Sequence, residues 1–177
     1  WIQAALIRQN LEDKAAAILE NPAEAPIRKS LLNATLLPYQ AEGIAFAAKA
    51  CRSIIADEMG LGKTIQGIGV AAYLKQEANI RKVLIICPAS LKAQWKNEIE
   101  RFSDLSAQLI LGAAADRPGQ YQNDSFFTIC NYEQVLKDIL AVENCEWDLI
   151  ILDEGQRIKN WEAKTSRVIK GLNSPYA

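Results

Sequence analysis

Gly60, Gly62, Lys63 and Thr64 lie within the stretch ADEMGLGKTIQ, residues 56–66, and together they have the chemistry of a phosphate site. Glycines let backbone N–H groups approach an anion with no Cβ in the way, a lysine reaches the terminal phosphates, and a hydroxyl ligates magnesium. The common form of such a loop is G-x-x-x-x-G-K-[ST]. Gly62, Lys63 and Thr64 fit it, while its first glycine position holds Asp57. The candidate nucleotide-binding segment is therefore Asp57, Glu58, Met59, Gly60, Leu61, Gly62, Lys63 and Thr64, with Lys63 as the catalytic cation and Thr64 as a metal ligand.

A nucleotide site also needs an acidic partner for magnesium, and WDLIILDEGQ, residues 147–156, provides one. Leu149 to Leu152 is continuously apolar, the pattern of a strand buried on both faces of a parallel sheet, and Asp153 and Glu154 follow it directly. Carboxylates just past such a strand face the crevice where open α/β sheets bind ligands. Asp153 is assigned to the magnesium shell, and Glu154 to orienting or deprotonating the attacking water.

These residues need elements to hold them. CRSIIA, before the loop, reads as a strand ending at Ala56. From Thr64 the apolar residues Ile65, Ile68, Val70, Ala71, Ala72 and Leu74 recur at helical spacing. Strand, glycine loop and helix then follow in the order that puts the positive end of a helix beneath the phosphates. Strands are predicted at 53–56, 83–87, 107–111, 126–130 and 148–152, and helices at 64–75, 90–102, 132–141 and 162–171. Such alternation predicts an α/β fold, a mostly parallel doubly wound sheet with helices on both faces. Ahead of it, alanine-rich residues 1–21 put Leu11, Ala15, Ile18 and Leu19 on one helical face, to pack on the core or to belong to a preceding domain. Residues 22–35, with Pro22 and Pro26, read as a connector, and Pro38 suits the first turn of the helix carrying Gln40.

DEMGLGKTIQ, ILDEGQRIKN and LLPYQAEGIAF resemble motifs I and II and the adenine-side glutamine element of Swi/Snf-type ATPases of helicase superfamily two. VLIICPASLKAQWKNEI at 83–99 is similar to that family's motif Ia, and TICNYEQV at 128–135 to its next DNA-facing motif. The likeness runs from about Leu36 to Asn160. In that family the phosphate loop reads Asp-Glu-x-Gly-x-Gly-Lys-Thr, which makes Asp57 the family's form. The resemblance implies a RecA-like P-loop lobe that uses ATP and Mg2+, with Gln40 at the adenine edge. It implies a DNA-dependent ATPase that translocates along double-stranded DNA and remodels protein–DNA complexes. The alternatives are a strand-separating DNA or RNA helicase and a non-hydrolysing ATP-binding switch. It divides the chain into an N-terminal helix and connector, 1–35, and a first RecA-like lobe, 36–177, truncated before its last motifs. A second RecA-like lobe of the same full-length chain would carry the arginine finger, leaving the isolated chain nearly inactive. One position departs: the family's box has histidine where this chain has Gln156, which, with Arg157, would couple the ATP site to the next motif. An amide both donates and accepts, so the departure bears on coupling rather than on nucleotide binding.

The net charge of −1 excludes a global attraction to nucleic acid, so any DNA contact must be local. The candidates are Ser90, Lys92 and Lys96 of motif Ia and Tyr132 of the next motif. Lys92 is open between that role and a role inside the fold, while Trp95 reads first as a core anchor of its helix. Cys51, Cys87, Cys130 and Cys145 form no close pair, and with no histidine anywhere a zinc site has little to build on; buried, reduced thiols are expected. No run of 18 or more apolar residues and no signal-peptide pattern occurs, so no membrane association and an intracellular location, bacterial cytoplasm or eukaryotic nucleus, are expected.

Overall fold

The alanine-rich start of the chain forms helix α1, Ile2–Glu20, which buries Leu11, Ala15 and Ile18 and ends at Asn21, just before Pro22. The computed structural model describes residues 1–55, 62–155 and 163–177. They divide into a unit of Trp1–Arg81, Arg101–Asp104 and Tyr176, and a unit of Lys82–Glu100, Leu105–Pro175 and Ala177.

In the first unit a short helix α2, Ile27–Ser30, precedes α3, Pro38–Ala50, and α4, Lys63–Ala78. Helix α1 packs within this unit. It lies against α3 and α4, and Lys14 Nζ meets Glu77 Oε2 of α4 at 2.6 Å. Pro38 opens α3 because its missing N–H is one that a first helical turn leaves unpaired anyway. The Gln40 side chain closes the same turn, its Oε1 accepting the Leu37 N–H at 2.9 Å. Helix α4 can approach α3 closely because Gly69 faces it: a Cβ there would lie 2.3 Å from Ile44 Cδ1. The strand expected at 53–56 does not form over 53–55, and Ala56 lies outside the described residues. Ile54 is 87% exposed, so its β-branched side chain has no packed surface to satisfy, and strand propensity without such a surface decides little.

The second unit holds a four-stranded sheet in the order β2-β3-β1-β4, built from β1, Val83–Cys87; β2, Ala107–Leu109; β3, Phe127–Asn131; and β4, Leu149–Leu152. Every pairing is parallel. Helix α5, Lys92–Phe102, leads from β1 towards β2; α6, Tyr132–Lys137, and α7, Ile139–Glu143, join β3 to β4; and α8, Ala163–Gly171, follows β4. Leu84, Ile86, Cys130 and Ile150 cluster on one face with Tyr132 and Val135 of α6, Val142 of α7 and Ile169 of α8. The alternate positions Val83, Ile85, Phe127 and Ile129 are buried as well, which is why β1 is apolar throughout instead of alternating and why even Thr128 of β3 is buried. The α/β class and the parallel sheet are as the alternation predicted.

The helix expected over 132–141 breaks at Asp138, whose carboxylate is used inside the fold. Arg117 Nε and Nη2 donate to its two oxygens at 2.7 Å each, and the Tyr121 hydroxyl donates to Oδ2 at 3.0 Å. Arg117 also donates to the Gly112 carbonyl, and both members of the ion pair are buried. The hydrogen bonds to Asp138 hold the Arg117 guanidinium above its ordinary pKa. Removing one member of a buried pair leaves the other charged and uncompensated, at a cost of about 3–5 kcal/mol. Asp138→Ala is therefore expected to lower the urea-measured stability by about that amount. A loss below about 1 kcal/mol would show that water replaces the carboxylate on Arg117.

All four cysteines are free thiols, and Cys87 and Cys130 are buried, as expected of reduced core residues. Among the described residues no helix is long and apolar enough to cross a membrane.

Candidate functional site

Parallel register brings one end of the sheet to a single edge: Cys87 of β1 lies opposite Asn131 of β3, and Ile86 opposite Leu152 of β4. The residues that follow each strand therefore emerge together at its C-terminal edge, where open α/β sheets bind ligands. They are Pro88 to Lys92, Tyr132 and Asp153 with Glu154.

Asp153 is held at four points. Its N–H donates to the Ile86 carbonyl at 2.9 Å, and its carbonyl accepts the Tyr132 hydroxyl at 2.6 Å. Its Oδ1 accepts the Glu154 N–H at 2.9 Å, and its Oδ2 accepts the Trp95 indole N–H at 2.8 Å. A carboxylate has about four lone-pair directions, so two remain for a cation. Glu154 is half-buried and has φ 52, a left-handed backbone that costs a residue with a Cβ about 1–2 kcal/mol. Strain of this kind persists only where the surroundings impose it, and it gathers at functional sites.

Of the residues expected to form the phosphate loop, Gly62, Lys63 and Thr64 are described and belong to the first unit. Gly62 is the N-cap of α4 with φ 75 and ψ 41, and a Cβ at this position would lie 2.8 Å from Gln40 Nε2. The left-handed backbone asks for glycine, and a Cβ would in addition push the Gln40 amide aside. The same closeness places Gln40, 7% exposed, beside Gly62. Lys63 is the first residue of α4 and exposed, and Thr64 follows it half-buried. The N–H groups of such a first turn have no partner within their helix and suit an anion. Asp57, Glu58, Met59, Gly60 and Leu61 lie outside the described residues, as do Gln156 and Arg157.

Thr64 and Asp153, each taken within its own unit, carry oxygen donors of the type that suits magnesium. The ion prefers oxygen and is commonly held by one or two carboxylates together with substrate phosphates and water. A hydroxyl at Thr64 and a carboxylate at Asp153 are ligands of that kind. Among the described residues no cluster of three or more His, Cys, Asp or Glu stands ready to hold a metal, so a resident all-protein cage is not found there.

Two of the expected DNA-facing residues are placed otherwise. Lys92 is buried, its Nζ donating to the Ile110 carbonyl at 2.5 Å and to Gln134 Oε1 at 3.0 Å, and burial pulls its pKa down. Of the two roles open to Lys92, the internal one is observed. Tyr132 is buried with its hydroxyl on Asp153, and burial, with that carboxylate second, pushes its pKa up. Both belong to the scaffold of the carboxylate edge because their polar ends are spent on acceptors inside the fold, Lys92 on Ile110 and Gln134 and Tyr132 on the Asp153 carbonyl. Ser90 is exposed, and Lys96 is half-exposed beside Glu100 at 3.4 Å. Cys87 is pushed up to about 12, mainly by burial and then by the Asp153 carboxylate, so its thiol stays protonated at neutral pH.

Two residues of this edge have roles here that their sequence did not indicate. Gln134 accepts the Asn131 N–H and the Lys92 ammonium and donates to the Ile110 carbonyl, tying β3, α5 and the end of β2 together. The Asn-x-x-Gln spacing of a capping box was its visible signal, and Asn131 Oδ1 indeed accepts the Gln134 N–H at 2.9 Å. Trp95 is buried as a core anchor, yet its N–H reaches Asp153, across 58 positions of sequence, which no local pattern marks.

Residues 39–177 match the SNF2-related domain. The chain is 38% identical over 148 residues to the chromatin-remodeling ATPase INO80 of Pyricularia oryzae, covering 73% of this chain and 8% of that protein. It is 33% identical over 154 residues to the ISWI chromatin-remodeling complex ATPase ISW1 of Saccharomyces cerevisiae, covering 81% of this chain and 14% of that protein. The Sulfolobus solfataricus SWI2/SNF2 ATPase core, solved in complex with dsDNA, superposes with a TM-score of 0.73 at 31% identity, over 82% of this chain and 31% of that one. The chain thus spans a small part of the length of these relatives. With the family's domain matched over most of its length and a RecA-like sheet carrying the acidic pair at its edge, the chain belongs to the SNF2-related family of ATPases.

Proposed function

We propose that the chain is the first ATP-binding lobe, residues 36–177, of a DNA-dependent ATPase that moves along double-stranded DNA and remodels protein–DNA complexes, with residues 1–35 as an appended helix and connector. The observation that carries the ATPase reading is the Asp153–Glu154 pair, one carboxylate fixed by two N–H donors and the next residue held in a left-handed turn. The DNA part is supported by the family and by the dsDNA held by the Sulfolobus relative.

In this reading the first turn of α4 and Lys63 receive the phosphates, and Gln40 faces the adenine edge. Thr64 and Asp153 are the magnesium ligands. When bound, magnesium supplies positive charge that offsets charge developing on the phosphates. Glu154 orients the attacking water and accepts its proton, which needs a carboxylate within hydrogen-bond reach. Asp57 to Leu61 complete the phosphate loop, and Gln156 with Arg157 passes the state of the ATP site onward. Backbone contacts by exposed groups such as Ser90 and Lys96 would track DNA without reading its sequence. A second RecA-like lobe of the same full-length protein completes the site, and a nuclear or other intracellular location goes with the chromatin-remodeling relatives.

The test is ATP turnover of the full-length protein with duplex DNA, single-stranded DNA and RNA in parallel. Stimulation by duplex DNA above the other two is expected. Preference for a single strand together with strand separation would replace translocation by a helicase activity. Nucleotide binding with no turnover under any condition would leave an ATP-binding switch.

A further inference from the structure

We propose that Trp95 is a positioning residue for the Asp153 carboxylate, fixing through its indole N–H the orientation in which that carboxylate meets magnesium. The inference rests on the reading of Asp153 as a magnesium ligand and names a residue through which that ligand is set.

The terminal torsion of an aspartate is broad and roughly two-fold, so a carboxylate on a turn rotates unless its oxygens are claimed. Here both are claimed, and from different places. The Glu154 N–H takes Oδ1 from the neighbouring backbone, and the Trp95 Nε1–H takes Oδ2 from helix α5. An indole N–H only donates, and Trp95 is 4% exposed, so solvent has little access to this donor. The remaining lone pairs of the carboxylate are left in a fixed direction. Outer partners of this kind orient metal-binding groups, and removing one typically costs 10- to 100-fold in metal affinity.

The donor is itself fixed. One turn before Trp95, Lys92 Nζ is anchored to the Ile110 carbonyl and to Gln134 Oε1, and Gln134 caps α6. The position of α5 is thereby tied to the ends of β2 and β3, and the carboxylate orientation follows from it. Burial alone accounts for an aromatic ring at position 95, but an apolar ring would pack there without presenting a donor at 2.8 Å to the Asp153 carboxylate.

Two substitutions separate the donor from the packing. Trp95→Phe keeps an apolar six-membered ring and loses the N–H. Trp95→His loses more apolar volume but keeps a ring N–H at about the place of the indole one when Nε2 carries the proton. In the full-length protein, the dissociation constant of a fluorescent ADP is measured with magnesium and with EDTA, and melting temperatures are taken without nucleotide. Magnesium is expected to tighten ADP binding in the wild type. Trp95→Phe should reduce that gain roughly 10-fold or more, with the EDTA value unchanged, and Trp95→His should retain most of it despite the lower melting temperature. An unchanged gain in Trp95→Phe overturns the proposal. So does a loss that follows melting temperature, with Trp95→His worse than Trp95→Phe. Asp153→Asn runs alongside: if it too leaves the gain intact, Asp153 is not a magnesium ligand, and the failure lies in the underlying reading.

Discussion

Lys63→Ala is expected to abolish nucleotide-dependent activity of the full-length protein while leaving its fold unchanged. Lys63 is exposed at the first position of α4, so the truncation removes little packing, and alanine is the best helix former. Surface changes of this kind usually stay within about 0.5 kcal/mol. The loss is one of charge. At this position the ammonium adds to the partial positive charge of the helix N-terminus, and both act on phosphates whose negative charge shifts during transfer. Deleting a single preorganised donor of developing charge costs about 10²–10³ in rate, so turnover should fall by at least that much. Steady-state ATP hydrolysis and the melting temperature without nucleotide are the paired measurements. A large drop in melting temperature would assign Lys63 to packing instead, and retained turnover would remove it from the phosphate site.

Glu154→Gln should leave ATP binding in place and lower turnover by about 100-fold or more, the usual contribution of a positioned general base. The substitution is selective for structural reasons. Glutamine keeps the length of the side chain, and φ 52 is no harder for it than for glutamate. The bond that Glu154 gives to Asp153 comes from its backbone N–H, so the neighbouring carboxylate keeps both of its donors. What disappears is the negative charge and, with it, the basicity. Single-turnover hydrolysis and equilibrium binding of ATP separate the outcomes. Unchanged turnover would refute the role in activating water, and a parallel loss of affinity would move Glu154 into the magnesium shell.

The elements were legible wherever one local pattern had only one physical solution. Val83–Cys87 could be read from sequence because five consecutive apolar residues beside helical segments fit a strand buried on both faces. The segment Ser53–Ile55 has similar residues and is no strand, since a strand exists only through a paired neighbour. The predicted helix over 132–141 had the right residues and one break. Asp138 bonds Arg117, 21 positions away, and no helical periodicity carries that information.

For the candidate site, the sequence by itself determined the chemistry: glycine and lysine before a helix, a hydroxyl, and two carboxylates after a buried strand. Residue type fixes what an atom can donate, accept or ligate, and the order of strand and helix fixes which end of each element such a residue occupies. Tertiary structure alone decided which polar groups face inward. Lys92 and Tyr132 have the composition of surface contacts to a nucleic-acid backbone, yet they pair with Ile110, Gln134 and Asp153, and Trp95 gives its N–H to Asp153. A buried donor or acceptor left unpaired costs about 1–3 kcal/mol, and the partner that meets that demand is set by strand register and helix packing across dozens of residues, a distance over which sequence spacing holds no record of contact.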